Sequence, residues 1–457
     1  MQSCLSSGRS IIGPLAWAIL PALLLLGGCG GDSTEPPPPG PPFQLTDFSS
    51  PESCQGCHPN HYAEWQASMH AYAFKDPLFF AGNFAELERS GSDLGQFCIG
   101  CHSPVGSLTG TTPSTKFDPE TMPEIVQHGI SCDVCHLMSS PPAGGATEAG
   151  VPLPLSPGDV KYGPLPTRDN GPGVHKSEQR TFYGLSTHCR SCHNLTVRGI
   201  EMERTFDEWE ESTFASRGDS HCQNCHMPVY SGQAAVGGPL RAVLHRHWFA
   251  GVDLAFTDFP DTAASRARAA ELLEGAAMLD VTTPITAAPG DTFAVTVGVT
   301  NDCLGCPIEE QAGHSLPSGT SFSRQMWVEI TATSGAEVLY RSGQLDANLD
   351  LLDRHSEISP NGDPDLLLFT SELLGGDDVS VFSATGIREN LLEVGERQAR
   401  TYRVPVPATA TGAVDVSVRL RFRSFPPYKA RAQGKGDLVA QIPIFEMADD
   451  ARTVLLQ

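Results

Sequence analysis

Five times between residues 54 and 226 the chain repeats Cys-x-x-Cys-His: Cys54/Cys57/His58, Cys98/Cys101/His102, Cys132/Cys135/His136, Cys189/Cys192/His193 and Cys222/Cys225/His226. Two thiols three positions apart on one helical turn reach the two vinyl groups of a haem, and the next residue sets an imidazole under the iron. A redox dithiol, a short disulfide or half of a zinc site also uses Cys-x-x-Cys, but none of these demands a histidine after the second cysteine. With 15 histidines in 457 residues, the recurrence is not chance. The pattern predicts five covalently held haem c groups, and it constrains the fold around them. Flat apolar macrocycles supply core that side chains otherwise would, so long periodic segments are dispensable and folding depends on cofactor attachment.

A sixth pair, Cys303-Leu-Gly-Cys306-Pro307, lacks the histidine. In an oxidising compartment it reads as a local disulfide, with a free dithiol or a ligand role as alternatives. Export is expected from the first 28 residues, which hold one basic residue, Arg9, an apolar run from Ile11 to Leu26, and then Gly27-Gly28-Cys29. This resembles a bacterial lipoprotein signal, implying loss of residues 1–28, a lipidated Cys29, and anchoring to a membrane in the periplasm or at the cell surface. A signal cut elsewhere or an uncleaved helix is the other reading. Residues 29–44, rich in Pro and Gly, read as an extended tether.

Two compositions follow. Residues 45–255 hold the motif cysteines and most histidines, and read as a mostly irregular and α-helical cytochrome c domain. Residues 256–281 read as a connecting helix, periodic from Asp261 to Met278 with Asp261 as N-cap. Residues 282–457 alternate with period two, as in Thr292 to Val299 and Val414 to Arg421. That reads as an all-β, immunoglobulin-like antiparallel sandwich of about seven strands, so the expected class is mixed. The balance of 53 acidic against 30 basic residues, net -23, excludes a polyanion such as nucleic acid as partner. A redox partner protein docking on this surface is expected to present a basic face.

Carriers of electrons fill both axial positions of the iron with protein ligands, whereas enzymes leave one open, so the remaining histidines decide function. If Pro59 to Ala71 is helical, His70 lies roughly 18 Å from His58 and reaches a neighbouring site. His61, at i+3 from His58, cannot be its trans ligand and reads as a surface or propionate contact. His128, four residues before its motif, is a candidate distal ligand. His188 and His221 directly precede motif cysteines and either bridge to an adjacent haem or solvate a propionate. His355 reads as an exposed histidine.

The run from Cys54 to Ala71, through Tyr62, Trp65, Ser68 and His70, resembles the opening of the family containing the tetrahaem cytochrome c that accepts electrons from hydroxylamine oxidoreductase. In that family the last histidine is an iron ligand, which implies His70. Gly129 to His136 is similar to a recurring haem segment, and Gly173-Val174-His175-Lys176-Ser177 to another, which implies His175. Two stretches resemble members with a β-rich C-terminal region: His245-Arg246-His247-Trp248-Phe249-Ala250-Gly251 and Gly313-His314-Ser315-Leu316-Pro317-Ser318-Gly319. They imply His247, with His245 as the alternative, and His314, which would cross from the sandwich to one haem. A buried, hydrogen-bonded turn histidine is the other reading of His314. Ser318 stands where the family has Thr, and a fifth motif and the sandwich set this chain apart from the tetrahaem protein. The expectation is electron transfer through five bis-histidine haems. Two alternatives are an oxidoreductase acting on a small nitrogen or sulfur compound at one open haem, and a sandwich that recognises a partner.

Overall fold

The computed structural model describes residues 42–90, 96–218, 220–301, 312–376 and 378–457. Cys29, the signal, nearly all of the tether, and the pair Cys303 and Cys306 lie outside the described residues. The cysteine-rich part is built of short helices: Phe97–His102, Cys132–His136 and Cys222–His226 each end on the motif histidine, whereas Glu52–Gln55 stops inside the first motif. The fourth motif is instead a tight turn after the 3-10 helix Ser186–His188, closed by His193 N to Cys189 O at 3.1 Å.

The helix expected from Pro59 to Ala71 breaks into Pro59–Gln66 and Met69–Tyr72. Ser68 is the reason: its hydroxyl accepts from Ala71 N and restarts the helix, the local competition that makes Ser a cap. The longer helix Pro77–Ser90 begins under Asp76, whose carboxylate accepts from Leu78 N at 2.8 Å. Three two-stranded ladders complete this part: Val160–Gly163 with Lys176–Gln179, Leu195–Val197 with Ile200–Glu203, and Val229–Gln233 with Leu240–His245. The middle one closes through Arg198 and Gly199, both at positive φ (51° and 78°), the two-residue turn whose twist suits a hairpin.

The connecting helix covers Thr262–Glu274, shorter than expected, and strand Met278–Thr282 takes up the rest. Asp261 occupies the N-cap position in left-handed backbone, but its carboxylate turns to Arg268 rather than capping. Ala269 and Leu273 of this helix join the core of the β-rich part.

That part is two facing sheets. The larger runs, neighbour by neighbour, Gly386–Asn390, Leu368–Leu374, Gln325–Ser334, Ala413–Arg423, Phe445–Leu456 and Thr286–Ala287, with Glu337–Ser342 also paired to Gln325–Ser334. The smaller runs Arg397–Pro405, Thr292–Thr300, Met278–Thr282. Alternation places Val295, Val297 and Val299 opposite Val328, Ile330, Val416, Val418 and Leu420, all at most 1% exposed. The described strands number seven and three rather than about seven in all. The extra ones lack the signal: Gly386–Asn390 ends in Arg388, Glu389 and Asn390, all exposed.

Apolar clusters join the two compositions. Leu78 packs with Ala430, Leu438 and Ile442, and Val197 and Met202 pack with Phe322, Leu373, Phe382 and Ala384. Each buried Leu, Ile or Phe side chain there contributes about 1.5–3 kcal/mol. Glu86 adds polar anchors, accepting from Ser380 Oγ at 2.9 Å and Val381 N at 3.1 Å. Pro41 to Gln457 accordingly forms one compact unit.

Candidate haem-binding sites

Each motif histidine turns its Nδ1 to a fixed acceptor, which leaves Nε2 as the ligand atom. Four of them use backbone carbonyls: His58 with Ala234 O (2.6 Å), His102 with Ala73 O (3.0 Å), His136 with Tyr162 O (2.7 Å) and His226 with Ala250 O (2.5 Å). His193 alone meets a carboxylate, Glu203 Oε1 at 3.3 Å. Burial pushes the pKa values of His102 and His136 down, and that of His226 to about 4, so these rings are neutral and keep the lone pair a metal needs. Burial acts on His193 in the same sense, but the hydrogen bond to Glu203 and its charge outweigh it and push the ring up to about 9.

An iron held between two imidazole nitrogens sets their ring centres roughly 6 Å apart. Four motif histidines have a second imidazole at this spacing: His58 with His175 (6.2 Å), His136 with His247 (6.3 Å), His193 with His70 (6.4 Å) and His226 with His314 (6.3 Å). The second member of each pair is held by its own supports. The helix begun by Ser68 carries His70, whose carbonyl accepts from Ile130 N at 3.0 Å. Gly129 is required there, since a side chain at its φ of +63° would collide with that carbonyl. Asn170 Nδ2 donates to His175 O at 2.9 Å. Buried Glu64 accepts from Arg246 Nη1 (2.7 Å) and His247 N (2.8 Å), pinning the His247 segment to helix Pro59–Gln66, which follows the first motif. Glu208, on helix Thr205–Glu211, accepts from Ser315 N (3.2 Å) and Ser318 Oγ (2.6 Å), and Asn301 Nδ2 donates to His314 O at 2.9 Å. Sequence reasoning singled out none of Glu64, Glu203 or Glu208. Acidic residues in an acidic chain carry no signal until their partners are known.

Among the described residues no imidazole faces His102 at this spacing. Its ring lies flat against Phe79, with centres 3.6 Å apart and planes within 6°.

The remaining histidines are placed otherwise. His128 does not face a motif histidine: its Nε2 lies 3.3 Å from Glu52 Oε2, its ring beside Trp65. Four residues from a motif along the chain is not proximity to an iron when a turn at Gly129 intervenes. His61 is also 6.3 Å from His58, but it sits on the helix following His58, and its Nε2 meets Tyr230 OH at 2.9 Å. His188 packs on Tyr183 and Phe182, His221 on Trp209 with its Nδ1 toward Ser186, and His245 turns Nδ1 to Met227 O at 2.7 Å. His355 is not an exposed histidine. It lies flat on Tyr428 between Asp353 and Asp378, 19% exposed, because Asp378 and Tyr428 arrive from distant parts of the chain.

Six of the attachment cysteines approach one another in three pairs. The side chains of Cys54 and Cys132 lie within hydrogen-bonding reach, as do those of Cys101 and Cys192 and those of Cys189 and Cys222. The fourth motif therefore touches both the second and the fifth. Cys57 is exposed, and the other nine motif cysteines are half-buried.

Paired thiols beside facing imidazoles are the donor set that c-type haem requires, and the residues present fit it. The class they define is a multihaem c-type cytochrome. Comparison with known proteins agrees. The family model described as cytochrome c554 and c-prime matches residues 53–137, which hold the first three motifs. The solved penta-haem cytochrome c552 from Thermochromatium tepidum shares the fold, with a TM-score of 0.60 over 90% of this chain and 100% of that one at 19% identity. No curated protein matches the chain.

Proposed function

We propose that the chain attaches haem at all five motifs and relays single electrons among them, four of the sites being bis-histidine. The observation that carries this reading is the set of four imidazole pairs at iron spacing. On this reading His175 lies opposite His58, His247 opposite His136, His70 opposite His193 and His314 opposite His226. When bound, c-type haem supplies one-electron iron chemistry; the chain sets its order, spacing and potential. Glu64, Glu208 and Asn301 hold ligand segments in place, and the backbone carbonyls fix the ring tautomers. Contacts between the cysteines of different motifs favour a path from the first site to the third, and a branch at the fourth toward the second and the fifth. The exposed Cys57 favours the first site as the point of exchange with a partner.

His102 supports a second reading for its own site. With no second imidazole facing His102 among the described residues, this is the site at which a haem oxidoreductase activity would reside. Mature protein is expected to give five haems by pyridine haemochrome and mass gain. Low-temperature EPR is expected to show low-spin signals from four sites and a high-spin signal that cyanide or nitrite converts. Fewer than four low-spin sites would sink the ligand assignment.

We also place the mature chain outside the cytoplasm, tethered through a lipidated Cys29 and docking redox partners that present a basic face. The signal-like first 28 residues and the net charge of -23 support this. No described helix is long and apolar enough to cross a membrane. Labelling with a radioactive fatty acid, lost on Cys29→Ser, tests the anchor.

A further inference from the structure

One Nδ1 contact differs from all the rest. Of the nine histidines paired or placed as ligands above, seven direct Nδ1 to a backbone carbonyl, including His175 to Lys176 O, His247 to His245 O and His314 to Ser315 O. His193 directs it to Glu203 Oε1. The carboxylate is not a chance surface neighbour. The turn at Arg198 and Gly199 folds the strand Ile200–Glu203 back on Leu195–Val197, so that Glu203 pairs with Leu195, two residues after His193. Phe206 N closes the loop onto His193 O at 3.0 Å, and Asn194 Nδ2 binds Asp207 at 2.6 Å. The Glu203 side chain is 14% exposed, with Gly319 from the β-rich part over it. No Lys or Arg side chain pairs with it among the described residues: neighbouring Arg204 is bound by Glu201 and Glu211.

We propose that Glu203 is a redox-tuning residue, which holds the His193 site at a lower potential than a carbonyl acceptor would. The inference rests on His193 being an iron ligand, as proposed above. Two effects act in the same direction. A charged acceptor draws the Nδ1 proton and gives the ring imidazolate character, which makes it a stronger donor and favours oxidised iron. The full negative charge, poorly screened at low exposure, also opposes an added electron. The position gives the tuning a use. The fourth motif contacts both the second and the fifth, so a low potential at this junction drives an electron outward, toward the His102 site or the His226 site. Electrons then reside on either side of the junction rather than on it.

Glu203→Gln keeps an acceptor for Nδ1 and removes the charge. In potentiometric titration of the haem-loaded protein at one pH, followed by EPR, one of the bis-histidine components is expected to move to higher potential. Glu203→Asp is expected to restore most of the shift, and the other three low-spin components to hold their values. Five haems in Glu203→Gln with every potential unchanged overturns the proposal. Should the variant lose the haem on Cys189 and Cys192, near-infrared magnetic circular dichroism of the unaltered protein decides. One charge-transfer band displaced to higher energy than the other bis-histidine bands supports the tuning, and coincident bands overturn it. A wild-type chain that carries no haem on Cys189 and Cys192, shown by peptide mass, instead sinks the ligand reading on which this rests.

Discussion

His355 lies on Tyr428 with ring centres 3.9 Å apart, its Nε2 3.0 Å from Asp378 Oδ2. Burial lowers the pKa of this imidazole, but hydrogen bonds to Asp353 and Asp378 outweigh it and leave it raised. On Asp378 burial raises the pKa, and the hydrogen bond from His355 with the nearby charges of Lys429 and Arg354 overcomes that and pulls it to about 2. The signs set a window. A raised histidine contributes stability at low pH that is lost as pH rises through its folded pKa. A depressed carboxylate contributes stability above its ordinary range that is lost as pH falls toward about 2. The thermal midpoint is expected to be highest between about pH 4 and pH 6.5. His355→Gln should flatten the decline above about pH 6.5 in melts followed by circular dichroism, and an unchanged slope there would refute the coupling. His355 was unreadable in sequence because its partners lie at positions 353, 378 and 428, two of them far along the chain. The motif histidines were readable because their chemistry is local. Glu203 falls between: its distance from His193 is short, but only the Arg198–Gly199 turn makes it a neighbour.

Among elements, the segment Gly313 to Gly319 does the most for the site, since it offers His314 to His226 and is moored by Glu208. His314→Gly is expected to convert one low-spin EPR signal to high spin and leave the other low-spin signals in place. Imidazole added to the variant should restore the lost signal. In the sandwich, Leu420 lies on strand Ala413–Arg423 with no exposure. Leu420→Ala is expected to cost about 2–5 kcal/mol in denaturant unfolding, the range for a cavity in a core that relaxes only partly. Such strands were legible from alternation alone, as Ala413–Arg423 shows. The ends of elements were not. Helix Thr262–Glu274 stops before the apolar Met278, which serves a strand, and Ser68 interrupts a run whose pattern continues through it.

At the scale of the whole molecule, composition divides the chain near residue 256, yet packing joins the parts through Leu78, Phe97, Val197 and Met202 on one side and Phe382, Ala430 and Ile442 on the other. No local pattern announces a contact made between segments hundreds of residues apart, so the join was invisible until the fold was in view. Heating is expected to abolish the far-ultraviolet signal of the sheets and the Soret signature of ligated haem in one transition. Two separated transitions would show independent parts. The charge of -23 belongs to this scale as well. Association with a basic redox partner should slow as ionic strength rises, measurable by stopped-flow reduction.

The late position of His314 has a consequence for biosynthesis. On the proposed ligation, the cofactor on Cys222 and Cys225 receives its second ligand from a segment translated well after the cysteines have emerged. A truncated or stalled product would therefore carry a fully attached but half-coordinated group, reactive toward oxygen and peroxide. Closure of the sheets is then a step of maturation, after which the last site is sealed.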